Sequence, residues 1–180
     1  LYTSCLYQLI PYINALTRQL EDMESRKGTG LALKLARVVG KLIDLSKIVA
    51  RVSQEEVEHS YKVVKSIALL LKKAGVNYGY LYEDDVYSGA LLYDLGIDDV
   101  FANHARWVYG LFKKHGVKKV ITIDPHSLHI LREVYPKYVD NYDLEVISYL
   151  EILEKTGIRP VAKLDTEVTI HDPCLYGRYE

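Results

Sequence analysis

A chain of 180 residues is long enough for one domain with a sizeable core. Its 23 basic and 24 acidic side chains nearly cancel, which excludes a field directed at nucleic acid or a charged membrane surface. No run reads as a transmembrane segment or signal peptide, and two distant cysteines, Cys5 and Cys174, are too few for a disulfide scaffold.

The expectation is therefore a cytoplasmic protein, with the start at Leu1 rather than methionine read as a trimmed N-terminus. Sixteen tyrosines against two phenylalanines, a single methionine and abundant lysine and valine are the composition of a heat-adapted protein.

In chain order, "LYTSCLYQLI" reads as a short strand or strand-like turn carrying Cys5, and Pro11 suits the first turn of a helix over residues 12–23. "SRKGTG" ends that helix. Leu31, Leu35, Val38, Leu42, Leu45, Val49 and Val52 then alternate spacings of four and three, a coiled-coil-like seam. Basic residues outnumber acids along it, which predicts a solvated face or, less readily, a docking surface. Ser53 and Glu56 make a capping box, so a second helix begins there and runs through Val57, Tyr61, Val64, Ala68 and Leu71. The two helices read as an antiparallel pair.

"VNYGYLYE" reads as an aromatic strand, followed by a turn at Tyr87-Ser88-Gly89, a short helix, and a longer helix ending in Lys113-Lys114-His115-Gly116. "GVKKVITI" is a buried strand, and Asp124-Pro125 turns it into a helix from His126 onward, with Ser127 or Asp124 free to cap its first amides. "LEVIS" is a strand, "YLEILEKTG" a helix, and "EVTIHDPCLYGRYE" a last strand whose end carries Cys174. This alternation predicts an α/β fold with a mostly parallel sheet and crossover helices, plus the inserted antiparallel helical pair. The turns at Cys5, Tyr87, Asp124 and Cys174 should gather at the carboxyl end of the sheet.

"GVKKVITIDPHSLHILREVYPKY", "YSGALLYDLG" and "HDPCLYGRYE" resemble the cysteine-rich CCG domain. That domain occurs in heterodisulfide reductase B and D subunits and in iron–sulfur subunits of glycolate and lactate oxidation. Each family copy carries a Cys, then Cys-Cys-Gly, then Cys-Pro-x-Cys, in two tandem copies whose cysteines hold iron–sulfur clusters. On this resemblance Cys5 falls on the first cysteine, Tyr87-Ser88-Gly89 on Cys-Cys-Gly, and Asp124-Pro125-His126-Ser127 on Cys-Pro-x-Cys. The 35 residues between Ser88 and Asp124 keep the family interval. The 81 residues between Cys5 and Tyr87 far exceed it, so a helical insertion falls at about residues 15–53. Residues 1–173 would be a degenerate first domain, and 174–180 the start of a second copy.

Four of the five sulfurs implied for the first copy are thus replaced, by Tyr87, Ser88, Asp124 and Ser127. Clusters need soft, bridging thiolates, so none is expected there. Cys174, with Cys5 the weaker candidate, is the implied iron–sulfur and metal ligand, and it would bind a cluster only if a second copy follows. The resemblance implies the N-terminal half of an iron–sulfur oxidoreductase subunit that transfers electrons, with redox subunits such as an electron donor docking through residues 31–74. Two other readings stand beside it: a non-catalytic interaction scaffold, and a mononuclear zinc site from His126, His129, His171, Asp124 and Cys174.

"KGTGLALK" lacks the third glycine of a dinucleotide loop and the Gly-Lys-Ser/Thr of a phosphate loop. Glu83-Asp84-Asp85 and Asp98-Asp99 read as acids favouring helix N-termini. The dispersed tyrosines read as packing groups, so no nucleic-acid partner is expected.

Overall fold

The computed structural model describes residues 1–27, 52–163, 165–169 and 173–178. The chain divides into two compact units, Tyr7–Val63 and a second formed by Leu1–Leu6 with Val64–Glu180.

In the first unit, α1 (Leu6–Lys27) begins before Pro11 rather than at it. Pro11 lies inside the helix and is buried, so α1 gives up one i→i−4 hydrogen bond to keep the proline there. The expected start after Pro11 is therefore corrected. The expected capping box is present at the head of α2 (Gln54–Lys73): Glu56 N donates to Ser53 Oγ at 3.1 Å, and Ser53 N to Glu56 Oε2 at 3.4 Å. Arg18 reaches Glu56 at 3.3 Å. The seam from Leu31 to Val49 lies outside the described residues, and with it the expected helical pairing.

The other unit is built on a small parallel sheet. β1 (Lys119–Thr122) pairs with β2 (Glu145–Ser148) in the register Val120 to Val146 and Thr122 to Ser148. Tyr2 bridges Thr122 in parallel on the other side of β1, with its N–H donating to Ile121 O at 2.8 Å. The sheet is thus smaller than the alternation predicted, a mixed helical fold around two short strands. "VNYGYLYE" pairs with neither of them. Gly79 interrupts it, and its end coils into a 3-10 turn at Tyr82–Asp84. The predicted last strand is also absent among the described residues. Pro173 instead precedes a short helix that Cys174 opens.

Between Gly89 and His115 lie α3 (Ala90–Asp94) and α4 (Asp98–Lys114). Phe101, Ala105, Val108 and Phe112 recur every three or four positions on α4 and are all buried, so one stripe faces the core. Each such large side chain contributes about 1.5–3 kcal/mol on burial. Tyr2 meets Phe112 edge-on at 5.2 Å between ring centroids, and Phe101 meets Tyr138 at 5.0 Å.

After β1 the chain enters α5 (Pro125–His129), which passes into a wide π turn over Ile130–Val134 and a 3-10 turn over Tyr135–Lys137. Pro136 supplies no N–H, so the regular ladder cannot continue through it. Leu128, Ile130, Leu131, Val134 and Tyr135 are nonetheless all buried in the core. Following β2, α6 (Tyr149–Thr156) starts on a second capping box, Ser148 with Glu151, and ends at Gly157 with φ 65°. Last comes α7 (Cys174–Gly177). No helix among the described residues is long and apolar enough to cross a membrane.

Candidate functional site

Three of the four turns picked out in the sequence meet beyond the carboxyl end of β1. The first is Thr3-Ser4-Cys5, where Ser4 and Cys5 take left-handed backbone conformations with φ 55° and 50°. Asp85 holds this turn: its carboxylate accepts from Thr3 N at 3.1 Å and from the Thr3 hydroxyl. Its backbone oxygen accepts the Cys5 thiol at 2.6 Å. Burial raises the Asp85 carboxyl above the usual range, although the Thr3 bonds pull the other way. Burial also pushes the Cys5 thiol up, and the negative Asp85 adds to it. Tyr80, beside the same carboxylate, is raised to about 12 by burial and by Asp85.

The second turn carries Tyr87, Ser88 and Gly89. Ser88 N donates to Ser4 Oγ at 2.8 Å, and Ser88 O accepts from Tyr135 OH at 2.9 Å. Tyr87 points elsewhere: its hydroxyl accepts from Leu91 N at 2.9 Å, and its carbonyl bonds His104 Nε2 at 2.7 Å. Gly89 has φ 84°, and a Cβ there would lie 2.8 Å from His104 Cδ2. Glycine is required at this position for both reasons.

The third turn caps α5. Asp124 Oδ1 accepts from Ser127 N at 2.8 Å, so of the two caps expected from sequence, Ser127 or Asp124, Asp124 is the one formed. Ser127 Oγ lies 3.4 Å from Ser88 Oγ, which joins the third turn to the second. Ser4, Ser88 and Ser127 are 0% exposed and Asp124 is 1% exposed. Asp124 Oδ2 has no hydrogen-bond partner. Burial raises this carboxyl above its ordinary range, while the Ser127 bonds and the charge of His126 pull the other way.

Cys174 stands apart from this network. It is exposed at the head of α7, and two residues on, Tyr176 OH shares a 3.2 Å hydrogen bond with Ser148 Oγ at the end of β2. The fourth turn thus reaches the same end of the sheet through β2. Among the described residues the zinc grouping does not assemble, since His126 is exposed while Asp124 is buried on Ser127; His171 lies outside them. Among the described residues, no three of His, Cys, Asp and Glu are placed to hold one metal ion.

Asp85 and Ser4 were missed in the sequence. Asp85 sits in an acidic run read as favouring a helix, but it is buried, whereas Glu83 is exposed and Asp84 is half-buried, on His115 at 2.6 Å and Lys114 at 3.2 Å. The Ser4 position next to Cys5 was the one available signal. Asp98 and Asp99 do open α4, as read.

The chain's relatives include oxidoreductases, a heterodisulfide reductase subunit and a probable ferredoxin. It is 36% identical over 124 residues to a probable iron-sulfur-binding oxidoreductase, FadF, of Bacillus subtilis, covering 67% of this chain and 17% of that protein. It is 34% identical over 122 residues to an EtfAB:quinone oxidoreductase of Syntrophomonas wolfei, covering 66% and 17% respectively. One of the subunits of the dihydromethanophenazine:CoB--CoM heterodisulfide reductase of Methanosarcina mazei is 29% identical over 120 residues, covering 62% and 29%. The chain therefore spans about a sixth of the length of the first two relatives. No protein-family model and no solved structure matches it.

Proposed function

We propose that this chain is a degenerate first CCG-type domain from an iron–sulfur oxidoreductase subunit, one that shapes the protein without holding a cluster itself. Electron transfer would be carried by a second copy that begins at Cys174. The observation that carries this reading is the 3.4 Å hydroxyl pair of Ser88 and Ser127. Two positions that the resemblance assigns to thiolates are committed to a buried hydrogen-bond network, which leaves Cys5 as the one sulfur there. Oxygen donors do not substitute for the soft, bridging sulfur a cluster needs.

Cys174 supports the other half of the reading, because its thiol is exposed and open to partners from outside the described residues. The relatives' names supply the class of reaction: electrons pass between a donor subunit and an acceptor. Redox subunits would dock through residues 31–74.

The test is iron and acid-labile sulfide per chain, on protein expressed from the complete gene and purified without oxygen. About four irons with matching sulfide are expected, the content of one [4Fe–4S] cluster, and Cys174→Ala should remove them while Cys5→Ala does not. No iron and no sulfide after reconstitution would overturn the redox reading in favour of a scaffold.

A further inference from the structure

α4 carries two apolar stripes, and the core takes only one of them, Phe101, Ala105, Val108 and Phe112. Val100, His104, Trp107 and Leu111 each stand one position before a core residue, about 100° round the helix from it. Their spacing is four, three and four. Val100 is 51% exposed and Trp107 is 52% exposed. His104 lies between them, its Nε2 held by Tyr87 O at 2.7 Å and its ring 5.5 Å from that of Trp107. Leu91 and Leu95, on α3 and at its end, extend the face and are more exposed still. Tyr93 packs on Phe101 at 5.3 Å, and Gly89 abuts His104, so α3 lies against α4 beside this second stripe. Single exposed apolar side chains need no explanation, but a contiguous face that includes the chain's one tryptophan marks an interface.

We propose that two copies of this chain pair through that face, α4 against α4 in antiparallel sense about a two-fold axis. Alternating spacings of four and three form the seam along which two helices interlock. The seam is also its own reverse: centred between His104 and Trp107, it sets Val100 of one copy opposite Leu111 of the other, and His104 opposite Trp107. One patch thus serves both partners, as a two-fold contact requires. Charge favours a second copy as the occupant. α4 opens on Asp98 and Asp99 and closes on Lys113 and Lys114. Antiparallel pairing brings the acidic end of each helix to the basic end of the other, and opposes their dipoles. Lys113 and Lys114 hold Asp143 and Asp84 but stay 47% and 64% exposed, so a further acid can reach them.

The pairing is independent of whether Cys174 holds a cluster, and so is its test. The full chain is diluted in reducing buffer, which keeps the exposed Cys174 from cross-linking two copies, and followed by light-scattering mass and by tryptophan emission. The mass is expected to fall from two chains to one, with the emission of Trp107 moving to longer wavelength over the same range. Val100→Glu and Trp107→Glu, both at half-exposed positions, should each leave a single-chain mass at every concentration. Asp99→Lys should weaken association several-fold, more at low salt than at high. A single-chain mass throughout for the unaltered chain would overturn the proposal. So would a dimer whose Trp107 emission is unmoved by dilution, a dimer that survives both glutamate variants, or association strengthened by Asp99→Lys.

Discussion

Ser127 Oγ lies 3.4 Å from Ser88 Oγ although the two residues are 39 positions apart. That contact joins the turn before α3 to the turn after β1, and both residues are 0% exposed. Buried hydroxyls of this kind stabilise a fold only while each polar neighbour is satisfied.

The network is therefore sensitive to loss of its acceptors. Ser4→Ala removes the oxygen that accepts Ser88 N at 2.8 Å and strands a buried N–H. It is expected to cost about 1–3 kcal/mol in urea unfolding. Tyr135→Phe strands only one lone pair of Ser88 O and should cost less, about 0.5–1.5 kcal/mol. The opposite order would mean that the Ser4 bond is not formed in solution.

Gly89→Ala combines a left-handed backbone with a collision, at φ 84° and 2.8 Å from His104 Cδ2. Gly75 has φ 78° with nothing within 4 Å of its Cβ position. Gly75→Ala should cost about 1–2 kcal/mol from the backbone alone, and Gly89→Ala more. Equal losses in thermal unfolding would mean that His104 swings away without penalty.

Burial raises the carboxyls of both Asp85 and Asp124. An acid whose folded pKa lies above its unfolded value stabilises the protein fully below about 3.9 and loses that contribution as pH rises through the folded value. Asp84 and Asp143 are lowered, by His115 and Lys113 respectively, and their contribution is lost only as pH falls below the ordinary carboxylate range. Stability should therefore fall as pH rises above about 4, and Asp124→Asn should flatten that slope. A wild-type curve that rises over this range would contradict the assignment.

The two thiols should react in sequence. Cys174 is exposed, whereas the Cys5 thiol donates to Asp85 O at 2.6 Å and is raised by burial. Near pH 7.5, a maleimide should label Cys174 first, and Cys174→Ser should delete the fast phase. A fast phase that survives this substitution would place the reactive thiol at Cys5.

Much of the local structure was legible because short-range chemistry dictates it. The capping boxes at Ser53 and Ser148, the Asp124 cap, the α4 stripe and the two short strands each follow from neighbouring residues. Of these, the Ser148 box and the α4 stripe were not picked out in advance. Strand pairing was less legible, because "VNYGYLYE" has strand composition but pairs with neither described strand. The extent of α1 was misjudged for a related reason, since Pro11 is tolerated inside a helix when burial offsets one lost hydrogen bond.

The sequence by itself determined the turn residues and their spacing, because those depend on residue identity and interval alone. Only the tertiary structure decided that Ser4 and Asp85 belong to the site and that Tyr87 does not. It also left Asp124 with one buried oxygen unpartnered. Hydrogen bonds across 39 or more positions depend on how the chain closes its loops in space, and no local pattern encodes that closure.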